Sequence, residues 1–164
     1  MIKPMLAHKV GKKEVDWSAK NFIQPKLDGV RCVFTKDGAY SRTGKQFKNV
    51  AHLEEDLEDF FNDNPNSVLD GELYNHDLKH DFEKIISLVR KQKPTDEDRF
   101  EAGNLVQYHV YDTTHNMLHQ VKYEDRYNWL RMNLPIYKTM TLIANTTVDS
   151  MKEAKMLQDR KSVV

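Results

Sequence analysis

Hydrophobic and polar positions along the chain follow two periods, one typical of strands and the other of helices. Two short apolar runs flank Lys36-Asp37-Gly38, a sequence that favours a tight turn, and together they predict a β-hairpin. Further apolar runs, bounded by polar or turn-forming residues, are also read as strands. The predicted strands cover residues 22–26 (a strand end), 30–35, 39–42, 68–74, 105–111 and 139–144.

Apolar residues that recur every three or four positions predict four helices. Their apolar stripes are Val50, Leu53, Leu57, Phe60 and Phe61; Phe82, Ile85, Ile86 and Val89; Tyr123, Tyr127 and Leu130; and Val148, Met151, Ala154 and Leu157. Asn49 and Asp81 stand where N-cap residues are expected, and the polar stretch 94–104 is read as a surface excursion. Because the helices alternate irregularly with hairpin-forming strands, we expect an α+β fold with largely antiparallel sheets, in one domain covering residues 1–164.

Composition narrows the class of protein. The 164 residues include 25 Lys and Arg and 25 Asp and Glu, so the formal net charge is zero and any contact with DNA must come from a local basic surface. Cys32 is the only cysteine, which excludes an internal disulfide, and we expect it to be buried on a strand. No apolar run approaches the roughly 20 residues of a membrane span. We therefore expect a soluble, intracellular monomer with no membrane contact.

Four motif blocks carry the candidate chemistry. They are Lys26-Leu27-Asp28-Gly29-Val30-Arg31, Ser41-Arg42-Thr43-Gly44, Leu69-Asp70-Gly71-Glu72-Leu73 and Tyr108-His109-Val110-Tyr111-Asp112. A lysine attacks only as the neutral amine, so a nucleophilic Lys26 should lie in a pocket where burial or neighbouring positive charge favours loss of its proton. Gly29 would let the backbone approach a ligand closely. No pair of histidines has H-E-x-x-H spacing, so a zinc site is not predicted.

In this order the four motif blocks resemble the nucleotidyltransferase domain of ATP-dependent DNA ligases, of the small viral or bacterial kind. The resemblance extends from Pro4-Met5-Leu6-Ala7 to the predicted helix with Tyr123-Glu124-Asp125-Arg126. It implies two largely antiparallel sheets flanked by helices with the nucleotide between them. It also implies a part in DNA replication, repair and recombination, in the cytoplasm of a bacterium or of a virus-infected host cell.

The resemblance assigns most of the candidate residues to the nucleotide. Lys26 would attack the α-phosphate of ATP and carry AMP as a phosphoramidate. Gln24 would contact the exocyclic amine of adenine, and Tyr111 would stack on the base, where the family often has Phe. Leu27 and Arg31 would also contact the nucleotide.

Two further residues are assigned to the metal and to DNA. The resemblance implies that Glu72 holds the ribose and assists Mg²⁺, whose usual ligands are one or two carboxylates and substrate phosphates. Arg42 would contact the 5′-phosphate at a nick in duplex DNA, since a guanidinium matches phosphate geometry.

The family's later blocks, E-G-x-V and K-x-K, are not found after Asp112, where neither Glu124 nor Glu153 precedes Gly. We therefore expect a nucleotidyltransferase domain that is truncated at its C-terminus and lacks the OB-fold domain, so that this chain alone would be inactive or weak in sealing nicks. Two alternatives are an mRNA-capping-type guanylyltransferase that uses GTP and a catalytically dead remnant that binds nucleic acid or a partner. Gln24 and the compact Ser-Arg-Thr-Gly block favour the ligase.

Overall fold

The computed structural model describes residues 15–115 and 120–161, which form two units. The larger unit runs from Leu27 to Leu142, and the smaller unit combines the described residues before Leu27 with those after Leu142. The N-terminal signature Pro4-Met5-Leu6-Ala7 lies outside the described residues. No described helix is both long and apolar enough to cross a membrane.

The larger unit contains a five-stranded sheet with the order β3-β2-β4-β5-β6. Its strands are β2 (Val30–Thr35), β3 (Gly38–Ser41), β4 (Ser67–Tyr74), β5 (Gln107–His115) and β6 (Met140–Leu142). All neighbouring strands are antiparallel except β5 and β6, which are parallel. The predicted hairpin is confirmed, because Thr35 pairs with Gly38, whose φ of 118° suits glycine in a tight turn.

Helices pack against one face of this sheet and form the core with it. They are α1 (Ala51–Asp56), α2 (Glu58–Asp63), α3 (Phe82–Val89), α4 (Asp96–Leu105) and α5 (Tyr123–Asn133), with a short 3₁₀ helix at His76–Leu78. The core includes Cys32 and Phe34 of β2, Leu69 and Leu73 of β4, and Tyr108 and Val110 of β5, together with helix residues such as Leu53, Ile85, Ala102 and Leu130. The prediction that Cys32 is buried is confirmed, since it has no exposed surface.

The smaller unit contains a two-stranded antiparallel sheet and one helix. Its strands are β1 (Asn21–Ile23) and β7 (Thr146–Val148), and its helix is α6 (Met151–Lys161). The prediction that Val148 begins the last helix is wrong, because Val148 pairs with Asn21 in the sheet and α6 begins only at Met151. With two sheets and flanking helices, the predicted α+β class is confirmed.

The stretch 94–104 is not a surface excursion, because α4 occupies most of it. Thr95 and Asp98 form a capping box in which each side chain accepts a hydrogen bond from the other residue's backbone N–H, and this satisfies two donors at the helix start. Ala102 is buried in the core. The capping box and this one buried position stabilise a helix whose outer residues are almost all polar.

The prediction that Asn49 caps the next helix is also wrong. Val50 occupies the cap position of α1, without a side-chain hydrogen bond. The buried Asn49 amide instead donates to the carbonyl oxygens of Leu88 and Asp98, both at 3.1 Å, and so joins the end of α3 to α4. The predicted single helix is divided at Leu57, whose φ of −99° and ψ of 0° separate α1 from α2.

Candidate active site

The sheet face opposite the core, here called the site face, brings the motif blocks together. Side chains alternate between the two faces of a strand, so Arg31 of β2 lies on the face opposite its core neighbours Cys32 and Val30. Arg31 pairs with Glu72 of β4, and Glu72 in turn pairs with His109 of β5. Residues from three motif blocks are therefore neighbours on the site face.

A β-bulge extends this arrangement to Tyr111 and Asp112. The register shifts between Asp70 and Gly71, so that Gly71 pairs with Val110, Asp70 pairs with Asp112, and Tyr111 is the extra residue of the bulge. In a regular strand, Tyr111 and Asp112 would point to opposite faces. The bulge turns both toward the site face, because Asp112 shares the face of its partner Asp70.

Arg31 is held by Asp70 and covers one face of the Tyr111 ring. Its Nε donates to Asp70 Oδ1 at 2.6 Å and its Nη2 donates to Asp70 Oδ2 at 2.5 Å, which is the two-bond fork that fixes a guanidinium in orientation. The guanidinium carbon lies 5.1 Å from the centroid of the Tyr111 ring. This is within the range of a cation–π interaction, so one face of the ring is already occupied.

A second arginine holds Asp112 from helix α5. Arg126 Nε donates to Asp112 Oδ1 at 2.9 Å and Nη2 donates to Asp112 Oδ2 at 2.7 Å. The third nitrogen, Nη1, donates to the carbonyl oxygen of Val121 at 2.7 Å. The Tyr123 hydroxyl, also on α5, donates to the carbonyl oxygen of Tyr111 at 3.4 Å.

Burial raises the pKa of Asp70 and of the Tyr111 hydroxyl on the site face and lowers the pKa of His109. Burial raises the pKa of Asp70, and the hydrogen bonds and charge of Arg31 only partly offset this effect. Burial also raises the pKa of the Tyr111 hydroxyl, and Glu72 adds to the increase. Burial, followed by the proximity of His76, lowers the pKa of His109 to about 4. At neutral pH, Tyr111 is therefore an uncharged phenol and His109 a neutral imidazole.

Gly29 is explained by the neighbouring strand. A Cβ atom at this position would lie 2.3 Å from the carbonyl oxygen of Leu73 and 2.7 Å from Cγ of Glu72. Both distances are shorter than non-bonded contacts allow. The group that approaches the backbone of Gly29 is thus β4 itself, next to the site-face residue Glu72.

The remaining predicted residues do not belong to β2, β4 or β5, the strands that carry the site-face residues. Gln24 and Lys26 belong to the smaller unit, and the peptide bond from Lys26 to Leu27 joins it to the larger unit. The side chain of Lys26 is exposed, which differs from the pocket expected from the sequence. Arg42 follows the last residue of β3 and is exposed, as a residue that contacts another macromolecule would be.

Sequence reasoning missed the contribution of three residues. His109 lies beside Glu72, Asp112 is turned to the site face by the bulge, and Arg126 fixes Asp112 from another element. His109 and Asp112 were part of a motif block, so alternation along β5 could have suggested His109. The pairing of Arg126 with Asp112 had no signal in the sequence, because it depends on how α5 packs.

The donor set on the site face fits magnesium better than a metal held by protein alone. No cluster of three or more His, Cys, Asp or Glu suited to a metal occurs in residues 15–115 and 120–161. Glu72 is a carboxylate with 8% exposure on the site face, and Asp70 is engaged by Arg31. One carboxylate is enough for Mg²⁺ when substrate phosphates supply further oxygens.

The fold is similar to that of several DNA ligases. A Lig E DNA ligase, from a structure–function study of DNA binding with a minimal scaffold, has a TM-score of 0.70 and 21% identity over 99% of this chain and 59% of its own. The ATP complex of the ATP-dependent DNA ligase from bacteriophage T7 has a TM-score of 0.56 and 17% identity over 83% of this chain and 51% of its own. A structure named Pmar-Lig_Pre has a TM-score of 0.60 and 22% identity over 87% of this chain and 35% of its own.

At these identities the structural likeness shows the fold, and the chain spans about three-fifths of the length of the Lig E structure or less of the others. No curated protein matches the chain in sequence. A family model described as the ATP dependent DNA ligase domain matches residues 4–162, nearly the whole chain. The chain therefore belongs to the ATP-dependent DNA ligase domain family.

Proposed function

We propose that this chain performs the adenylation chemistry of an ATP-dependent DNA ligase, with Lys26 as the nucleophile. The neutral Nζ of Lys26 attacks the α-phosphorus of ATP. A P–N bond forms, the bond from the α-phosphorus to the oxygen bridging to the β-phosphate breaks, and pyrophosphate leaves with that electron pair. The proton that Nζ gives up passes to water. An oxygen of the 5′-phosphate at a nick in duplex DNA then attacks the phosphorus of the adduct. A P–O bond forms, the P–N bond breaks, and the nitrogen of Lys26 leaves and takes up a proton from water.

Tyr111 supports the purine by stacking on the base. Arg31 lies over the same ring, with its guanidinium carbon 5.1 Å from the ring centroid. Stacking on an aromatic side chain contributes about 1–3 kcal/mol per base. A phenol is neutral at neutral pH and burial raises the pKa of Tyr111 further, so the ring carries no charge that would repel the phosphates.

Arg31 and Glu72 act on the sugar and phosphate side of the nucleotide. The fork to Asp70 uses Nε and Nη2 of Arg31, which leaves Nη1 as its donor to a ribose or phosphate oxygen. Glu72 accepts from the ribose hydroxyls and is the carboxylate that would hold Mg²⁺. When bound, the ion would neutralise charge on the phosphates. Gln24 and the backbone of Leu27 complete the contacts to the nucleotide.

Arg42 serves the second half of the reaction. It is exposed just after the end of β3, and β3 pairs with β2, the strand that carries the site-face residue Arg31. An exposed guanidinium suits a phosphate of a macromolecule that arrives after the nucleotide has reacted. Arg42 would thus bind the 5′-phosphate of the nick.

One observation carries the proposal. Arg31, Glu72 and Tyr111 come from separate motif blocks, yet they lie on one sheet face with a cation and a carboxylate beside an aromatic ring. The match of residues 4–162 to the ligase family model supports the same chemistry.

Intact-mass measurement after incubation with ATP and Mg²⁺ tests the proposal. A fraction of the chain should gain the mass of one adenylyl group, and GTP should give no guanylyl adduct. Lys26→Ala should remove the adduct, whereas Lys36→Ala, in the exposed turn of the hairpin, should leave it unchanged. A guanylyl adduct would favour the capping reaction, and an adduct that survives Lys26→Ala would assign the nucleophile elsewhere. A chain that forms no adduct with either nucleotide would contradict the proposed function.

A further inference from the structure

Helix α5 contacts the site strand at two adjacent residues. Arg126 forms its fork with Asp112 at 2.9 and 2.7 Å, and Tyr123 donates to the carbonyl oxygen of Tyr111 at 3.4 Å. Arg126 also lies 5.6 Å from the centroid of the Tyr123 ring, so the two helix residues support each other. Both contacts fall on the bulge of β5.

The bulge needs such support because it interrupts the ladder at Tyr111. Residues 108–110 pair with both β4 and β6, and the register shift of the β4–β5 ladder falls at the next residue, Tyr111. A bulge bends its strand and disrupts the ladder locally. The Tyr123 hydroxyl donates to the carbonyl oxygen of Tyr111 at this point, and the Arg126 fork fixes the next residue, Asp112.

The Arg126 fork is also held in place from its own side. Nη1 donates to the carbonyl oxygen of Val121, so all three nitrogens of the guanidinium are used. The side chain is largely buried, with 16% exposure. The charge and hydrogen bonds of Asp112 raise the pKa of Arg126. An arginine that is largely buried and donates from all three nitrogens is a more rigid support than an exposed ion pair.

We infer that Arg126 is a positioning residue for nucleotide binding: through Asp112, and with Tyr123, it holds the bulge that turns the Tyr111 ring toward the site face. The inference rests on the proposed function, because it assumes that Tyr111 supports the base. Arg126 itself touches no nucleotide. Its effect should therefore appear only for ligands that carry a base, and only while Tyr111 is present.

The test compares ATP with inorganic tripolyphosphate, which has the phosphates but no base. Dissociation constants for both are measured by ligand-observed NMR on the full chain and on Arg126→Gln, Arg126→Lys and Arg131→Gln. Arg131 is exposed on the same helix and serves as the matched control. Arg126→Gln should weaken ATP binding about fivefold or more, up to the loss of one stacking contact. Tripolyphosphate binding should not change, and Arg126→Lys should fall between wild type and Arg126→Gln.

A double-mutant cycle with Tyr111→Ala separates positioning from general destabilisation. In the Tyr111→Ala background, Arg126→Gln should no longer change ATP affinity, although it should lower the melting temperature in both backgrounds. Equal losses for ATP and tripolyphosphate, or an undiminished loss in the Tyr111→Ala background, would overturn the inference while leaving the proposed function intact. If the unchanged chain bound no ATP, the proposed function would fail and the inference with it.

Discussion

Gly29→Ala should destabilise the larger unit because the site of the new Cβ is already occupied. The Cβ would lie 2.3 Å from the carbonyl oxygen of Leu73 and 2.7 Å from Cγ of Glu72. A carbon and a carbonyl oxygen normally approach to no less than about 3 Å, so β2 and β4 would have to separate where Val30 pairs with Leu73. Overpacking of this kind costs about 1–3 kcal/mol. For a chain of this size, that corresponds to a melting temperature lower by about 2–12 °C.

Gly103→Ala is the matched control, because a Cβ atom on Gly103 would not clash with any neighbouring atom. The nearest atoms to a Cβ on Gly103 are those of His52 at 3.9 Å, an ordinary contact, and Gly103 lies inside α4. Alanine in a helix interior is more stable than glycine by about 0.5–1 kcal/mol. Urea unfolding followed by circular dichroism should therefore give shifts of opposite sign for the two variants. A Gly29→Ala chain as stable as the wild type would refute the steric account of the glycine in the first motif block.

Three further predictions concern the site face. Tyr111→Ala should weaken ATP binding by about 1–3 kcal/mol, while Tyr111→Phe keeps the ring and should retain most of the affinity; equal losses in titrations of both would point to the hydroxyl instead. Glu72→Ala should reduce formation of the AMP adduct, whereas Arg42→Ala should spare the adduct and reduce its transfer to nicked DNA, and an Arg42→Ala chain with normal transfer would contradict the phosphate role. Burial lowers the pKa of His109 in the folded chain to about 4 from an ordinary 6.5, so the unfolded chain binds more protons between these pH values. The contribution of His109 to the free energy of unfolding should therefore be fully present above pH 6.5 and should decrease as the pH falls toward 4. Urea titrations across this range should show a shallower decline for His109→Gln than for wild type, and identical declines would rule out this origin.

The parts of the fold that the sequence predicted are those where periodicity and burial agree. The hairpin of β2 and β3, the strand β4 and the helix α3 match their predicted positions, and Asp81 caps α3 by accepting from the backbone of Lys84. Helix α4 was missed because its outer residues are nearly all polar, so it has no apolar stripe. Its capping box was nevertheless visible as Thr95 followed three residues later by an acidic residue.

Asn49 illustrates why a local signal can mislead. Its position before an apolar stripe is typical of an N-cap, and its side chain could have bonded to the helix backbone. Two carbonyl oxygens from residues distant in sequence, Leu88 and Asp98, receive its amide instead. Only the packing of α3 and α4 against this segment determines that choice, so sequence spacing alone could not predict it.

Only part of the candidate site could likewise be predicted from the sequence. Arg31 and Glu72 could be expected to share a face, given that both are on predicted strands beside core residues. Tyr111 and Asp112 could not, because adjacent residues of a regular strand point to opposite sides. The bulge that brings them to one face arises in the pairing of β5 with β4 and leaves no mark in the order of residues.

Some charged residues of the motif blocks stabilise the sheet beside the candidate site. Asp70 and Asp112 lie directly opposite each other on neighbouring strands, where repulsion between their carboxylates is destabilising. Arg31 and Arg126 each place a guanidinium on one of the two carboxylates, at 2.5–2.6 Å and 2.7–2.9 Å, and so offset that repulsion. These four charges therefore stabilise the strands that carry Glu72 and Tyr111. Removing Arg126 would leave Asp112 opposite Asp70 without its own guanidinium, so a loss of base stacking on Tyr111 would follow from the strand geometry although Arg126 itself contacts no ligand.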